Sequence, residues 1–215
     1  MIRIVIPKML GYAFRIMGPS KTADLLRIAR RGRLRARDLD TRRIPRAYLR
    51  RLIERGMLER VDRGLYRLAD ASATELTSIA DVAMRVPHAT VCLLSALQIH
   101  GLTTEAPHAV WIMIDRHARA PKLATPSIEV VRASGMARSM GIERRRIEGV
   151  QVQLTTPAKT VADCFRFRRH VGLDVALSAL RDYLRKHRGG VDKLVEAARA
   201  DRIVAVVRPY LEALA

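Results

Sequence analysis

Residues 38–70 read DLDTRRIPRAYLRRLIERGMLERVDRGLYRLAD, and this stretch decides the fold of the N-terminal third. From Pro45 onward, at about 100° per residue, Tyr48, Leu49, Leu52 and Ile53 share one helical face. Arg43, Ala47, Arg50 and Arg51 lie opposite, with Arg46 at the margin. Proline is tolerated at a first helical position because no donor is needed there, so the helix is expected to open at Pro45 and to stop at Gly56. Two short alternating runs, 58–61 and 65–68, flank Asp62-Arg63-Gly64, which is a hairpin signal.

Upstream, Pro19 and Ser20 offer a stop and an N-cap. Residues 22–31 place Leu25, Leu26, Ile28 and Ala29 on one face, with Gly32 as the C-terminal stop. A short helix fits 36–40, with Leu34 and Leu39 inward. Three helices and then a hairpin is the order of a winged helix-turn-helix. The third helix, apolar behind and arginine-rich in front, suits a major groove, and the hairpin suits a phosphate backbone or a minor groove. The expected DNA-binding residues are Arg42, Arg43, Arg46, Arg50 and Arg51 at the helix, and Arg60, Arg63 and Arg67 on the wing.

Charge points the same way. The 215 residues include 40 basic and 21 acidic side chains, a formal net charge of +19. Residues 1–70 hold 19 basic against 7 acidic residues, so a third of the chain carries most of the excess. Arginine, which supplies nearly all the positive charge, forks onto phosphates and guanine edges better than lysine does. A double-stranded DNA partner is expected.

The polar, small residues 70–74 mark a joint. The expected division is a lead over 1–19, a winged helix-turn-helix over 20–70 and a larger domain over 71–215. In that larger domain, helices are expected over 76–84 and 91–100, separated by Pro87. Strands are expected over 110–114, 128–132 and 150–154. A helix opened by Thr155-Thr156-Pro157 follows, then an amphipathic helix over 174–185 with Val175, Leu177, Leu180 and Leu184 inward. Helices over 192–200 and 204–214 end the chain. The fold class is α+β, a winged helix-turn-helix followed by a small sheet with packed helices.

Three segments in order resemble the AbiEi family of antitoxins from type IV toxin–antitoxin systems. The first is 38–70, with Asp38-Leu39, Ile44-Pro45, Leu49 and Leu52, Gly56-Met57-Leu58 and Arg63-Gly64-Leu65-Tyr66. The second is 95–115, SALQIHGLTTEAPHAVWIMID. The third is 156–184, TPAKTVADCFRFRRHVGLDVALSALRDYL, with the step Thr160-Val161-Ala162-Asp163. The resemblance implies an N-terminal domain that represses its own operon at inverted repeats in the promoter. It also implies a C-terminal antitoxin domain that neutralises a cognate nucleotidyltransferase toxin, by direct binding or by acting on the toxin's state or target. The alternative is a stand-alone winged-helix repressor whose C-terminal domain binds an effector or dimerises.

An enzyme is disfavoured. Restriction-type nucleases need Glu-x-Lys on a strand, and Glu129 is followed by Val130-Val131. Nucleotidyltransferases need Gly-Ser before Asp-x-Asp, and Asp38-Leu39-Asp40 has none. His88, His100, His108, His117, His170 and His187 show no ligand spacing. No catalytic residue, cofactor or metal ion is expected. Cys92 and Cys164 read as buried, reduced thiols, and the chain as cytoplasmic with no membrane contact. Trp111 reads as core, and Arg144-Arg145-Arg146 as a solvated loop. Arg166, Arg168 and Arg169 either neutralise Asp163 or form a second basic patch.

Overall fold

A computed structural model describes residues 19–30, 34–69 and 75–214. The chain forms two compact units, Met1–Ser72 and Ala73–Ala215. The expected lead before Pro19, the stop at Gly32 and the joint at 70–74 lie outside the described residues.

In the first unit, α1 (Pro19–Arg30), β1 (Leu34–Arg35), α2 (Ala36–Asp40) and α3 (Ala47–Glu54) precede β2 (Leu58–Asp62) and β3 (Leu65–Leu68). The strands make an antiparallel sheet in the order β1-β3-β2. Leu25, Leu34, Leu39, Leu52 and Leu58 are fully buried in a single cluster. Burying each such side chain contributes about 1.5–3 kcal/mol, against about 0–1 kcal/mol for an exposed ion pair. The leucines therefore hold this unit together, and its surface charges are left for other work.

Two helix starts differ from expectation. Helix α1 already includes Pro19 and Ser20 where the described residues begin, so Ser20 stands inside the helix. Helix α3 opens at Ala47, two residues after Pro45. The Tyr48 and Leu49 N–H groups donate to the carbonyls of Pro45 and Arg46 at 3.1 and 3.0 Å, a tight turn that postpones the α-helical ladder. The end of α3 is as expected. Gly56 is left-handed at φ 65°, its N–H donates to Ile53, and Met57 N–H reaches back to Leu52, which makes a Schellman stop.

The second unit carries α4 (Glu75–Arg85), β4 (Thr90–Val91), α5 (Leu93–His100), β5 (Val110–Asp115), β6 (Ile128–Ala133), α6 (Met136–Ser139), β7 (Ile142–Ile147) and β8 (Val150–Thr155). Then come α7 (Pro157–Arg166), α8 (Arg168–Val171), α9 (Leu173–Lys186), α10 (Val191–Ala200) and α11 (Val204–Leu214). Its five-stranded mixed sheet has the order β6-β5-β4-β8-β7. Strand β5 shows why both faces are covered. Trp111 and Met113 join the cluster under α5, α7, α9 and α10, while Val110, Ile112 and Ile114 join the cluster under α4. The molecule is α+β, as expected.

Here too the structure corrects particulars. Val91 belongs to a two-residue strand, and α5 starts only at Leu93. Thr90 and Val91 pair with β5 on one side, and Val91 also pairs with Leu154 of β8 on the other, a tertiary demand that local periodicity does not carry. Arg144-Arg145-Arg146 is no loop. It lies in edge strand β7, with all three side chains exposed. Glu148-Gly149, both left-handed at φ 48° and 76°, turn β7 into β8 as a two-residue hairpin. In α9 the fully buried stripe is Ala176, Ala179, Leu180 and Tyr183, whereas Val175, Leu177 and Leu184 sit at its flanks, half-buried. Small alanines let α9 approach its neighbours, so the larger residues are displaced to the sides. Cys92 and Cys164 are buried free thiols. Burial pushes both thiols above their ordinary range, Cys92 well above it.

Asp163 is buried, and its main partner is Lys159, one helical turn earlier, rather than Arg168 or Arg169. Lys159 Nζ also reaches Asp201 Oδ1 at 2.8 Å and Oδ2 at 3.0 Å, and Arg166 Nη1 meets the same Asp201 at 3.3 Å. The unit thus holds a buried cluster of Lys159, Asp163 and Asp201 with Arg166 at its margin.

Candidate nucleic-acid interface

Helix α3 and the β2–β3 hairpin enclose a groove of about 480 Å³. Four arginines line it, Arg46 just before α3 and Arg50 within it, with Arg60 and Arg63 from the hairpin. Alternation along a strand accounts for the hairpin's share. Arg60 stands opposite Tyr66 across the ladder, and both line the groove. Gly64, at φ 74°, lets the hairpin turn tightly beside α2. Leu49 and Ile53 form the apolar floor. Ile53, expected in the core, is instead 36% exposed there. Helix α3 is only eight residues long and buries Leu49 and Leu52 alone, so its apolar stripe is narrower than the sequence suggests.

The other expected residues stand elsewhere. Arg51 lies over the Tyr48 ring, 5.9 Å from its centroid, and does not line the groove. Arg42 and Arg43 are exposed in the turn between α2 and α3. Arg43 is left-handed at φ 53°, and Ile44 N–H donates back to Leu39, which ends α2. Arg67 faces away from the groove and pairs with Glu59 on the neighbouring strand, a register pair of the hairpin. Tyr66 is the groove residue that sequence reasoning did not single out. Its signal is the period of two that also brings Arg60 there.

Arg46 and Arg50 are held by acids. Arg46 Nη2 donates to Asp40 Oδ2 at 2.9 Å, and this hydrogen bond holds the guanidinium pKa above its ordinary value. Arg50 Nε donates to Glu54 Oε1 at 2.8 Å, one turn along α3. Both arginine side chains remain mostly exposed, at 67% and 84%. Solvent screens exposed pairs of this kind, so a phosphate that arrives can displace the acid. Asp38 anchors the start of α2 by accepting the Arg35 N–H at 2.9 Å, and burial raises its carboxyl above the usual range.

Among the described residues, no group of three or more His, Cys, Asp and Glu is placed to hold a metal ion. No described helix is long and apolar enough to cross a membrane.

Comparison with solved structures finds a similar fold in the crystal structure of the RV2827C protein from Mycobacterium tuberculosis. The TM-score is 0.51 at 16% identity, over 89% of this chain and 79% of that one. At that identity the likeness is one of fold. No curated protein matches the chain. Residues 23–69, which contain the whole groove, match the family model described as transcriptional regulator, AbiEi antitoxin. That segment is about a fifth of the chain, so the likeness to the AbiEi antitoxin family of transcriptional regulators is one of the groove-bearing N-terminal segment.

Proposed function

We propose that the first unit is a winged helix-turn-helix that binds double-stranded DNA at inverted repeats in its own promoter. Helix α3 lies in the major groove, and the β2–β3 hairpin lies on the adjacent backbone. The observation that carries this reading is the convergence of Arg46, Arg50, Arg60 and Arg63 on one groove inside the family-matching segment. Guanidiniums spaced along a groove between a helix and a hairpin suit a run of phosphates. We infer that the chain represses its own operon and neutralises a cognate nucleotidyltransferase toxin, with neutralisation carried by the second unit. This reading assigns the chain no catalytic step, and places it in the cytoplasm with that DNA.

The test is bacterial growth with the adjacent toxin gene induced, beside a reporter on the operon's promoter. Full-length protein is expected to rescue growth and silence the reporter. The full-length variant Arg50→Ala/Arg60→Ala is expected to rescue growth but leave the reporter on. Rescue by neither, with both proteins expressed, refutes neutralisation and leaves a plain repressor. A silent reporter with the variant refutes the groove.

A further inference from the structure

The second unit contains a cavity of about 590 Å³, walled by α6, the end of α7 and the end of α10. Its size falls in the range of small-molecule sites, about 300–1,000 Å³. Three arginines line it, Arg166, Arg199 and Arg202. Arg166 is 29% exposed by side chain. It is fixed from two sides, by Asp201 Oδ1 at 3.3 Å and by the Phe167 ring at 5.5 Å. Asp201 is already engaged by Lys159, so it does not cancel the arginines at the mouth. Arg199 and Arg202 are exposed and make no ion pair among the described residues, although Glu196 shares the cavity. The opposite wall is apolar, with Met136 63% exposed beside Ala137 and Met140.

The backbone at Arg202 sharpens this picture. Helix α10 ends in a Schellman stop, in which Ile203 N–H donates to Ala198 at 2.9 Å and Arg202 N–H to Arg199 at 3.0 Å. That stop places Arg202 at φ 59°, the left-handed position that glycine takes most cheaply. An arginine there strains the backbone, and among the described residues its exposed side chain makes no hydrogen bond or ion pair in return. What the position gains is a guanidinium at the mouth of the cavity.

We propose that this cavity binds a small organic phosphate, with Arg199 and Arg202 forked onto the phosphate and the Met136–Met140 wall against the apolar body. Two unpaired guanidiniums match a phosphate dianion by charge and by planar donor geometry. Arg166 adds a fixed positive charge at the floor. The site lies wholly in the second unit and stands independently of the DNA reading.

The test is calorimetric titration of the full chain at physiological ionic strength with phenyl phosphate, inorganic phosphate and phenol as probes. Phenyl phosphate is expected to bind saturably, one per chain, and more tightly than inorganic phosphate, while phenol alone does not bind. Arg202→Gly relieves the strained position, so its melting temperature is expected to be unchanged or higher while phenyl phosphate affinity drops at least about tenfold. Arg199→Ala is expected to show the same loss. No saturable binding to the wild-type chain overturns the proposal. So does undiminished affinity in both variants, which places the phosphate on other arginines.

Discussion

Lys159 is a single buried ammonium with two carboxylates, Asp163 and Asp201, around it. Burial raises the Asp163 carboxyl to about 8. Lys159 opposes the shift, and the neighbouring Asp201 adds to it by charge and by hydrogen bonding. Between its unfolded value of 3.8 and about 8, folded Asp163 holds a proton that the unfolded chain has released. This group therefore makes stability fall as pH rises through that window and level off above it. Asp163→Asn, neutral throughout, is expected to remove that decline, which urea unfolding at about pH 5 and about pH 8 measures. Asp201→Ala takes away the carboxylate that meets Lys159 through both oxygens and leaves Asp163 as the ammonium's one acidic partner, and is expected to lower stability in the same assay. Little of this was legible beforehand. Lys159 looks like an ordinary surface lysine in PAKTVADC, and Asp201, 42 residues away, is brought to it only by the packing of α10 on α7. At the interface, Arg50 and Arg51 are adjacent in sequence yet point differently, Arg50 into the groove and Arg51 onto Tyr48. Arg50→Ala is expected to cost about 1–3 kcal/mol of promoter affinity, and Arg51→Ala less, by anisotropy titration.

At the scale of elements, α2, the hairpin and the long helices were readable because their signals are local. Gly56 after a leucine stripe, Gly64 in a turn and Pro157 after a threonine each act within a few residues. The groove itself was half readable. Sequence supplied its arginines, but the helix face alone could not show that Arg51 and Arg67 stand outside it or that Ile53 and Tyr66 line it. Strands β1 and β4 were invisible, being two residues each and defined only by their partners. Strand β7 was hidden by its own arginines. An edge strand needs only one buried end residue, here Ile147, and charged residues on the edge discourage pairing with other chains. Gly56→Ala, at a left-handed stop with open space around it, is expected to cost about 1 kcal/mol in thermal unfolding through backbone strain alone.

At the scale of the molecule, charge is divided unevenly between the two units, and the smaller N-terminal region carries most of it. That asymmetry was fully legible, and it predicts how binding responds to salt. Each phosphate neutralised releases condensed counterion, so log affinity is expected to fall with log salt at a slope of about −0.9 per contact. Four groove arginines then contribute a slope of about −3 to −4, and each removal is expected to flatten it by about 1. The measurement that tests the central claim most directly is anisotropy titration of the chain's own promoter fragment across salt. It compares wild type with Arg46→Ala/Arg50→Ala/Arg60→Ala/Arg63→Ala. The variant is expected to bind at least about 100-fold more weakly with a flattened slope, and its circular dichroism to be unchanged. Equal affinity and equal slope in a folded variant would contradict that claim, and would mean that the groove between α3 and the hairpin does not carry DNA.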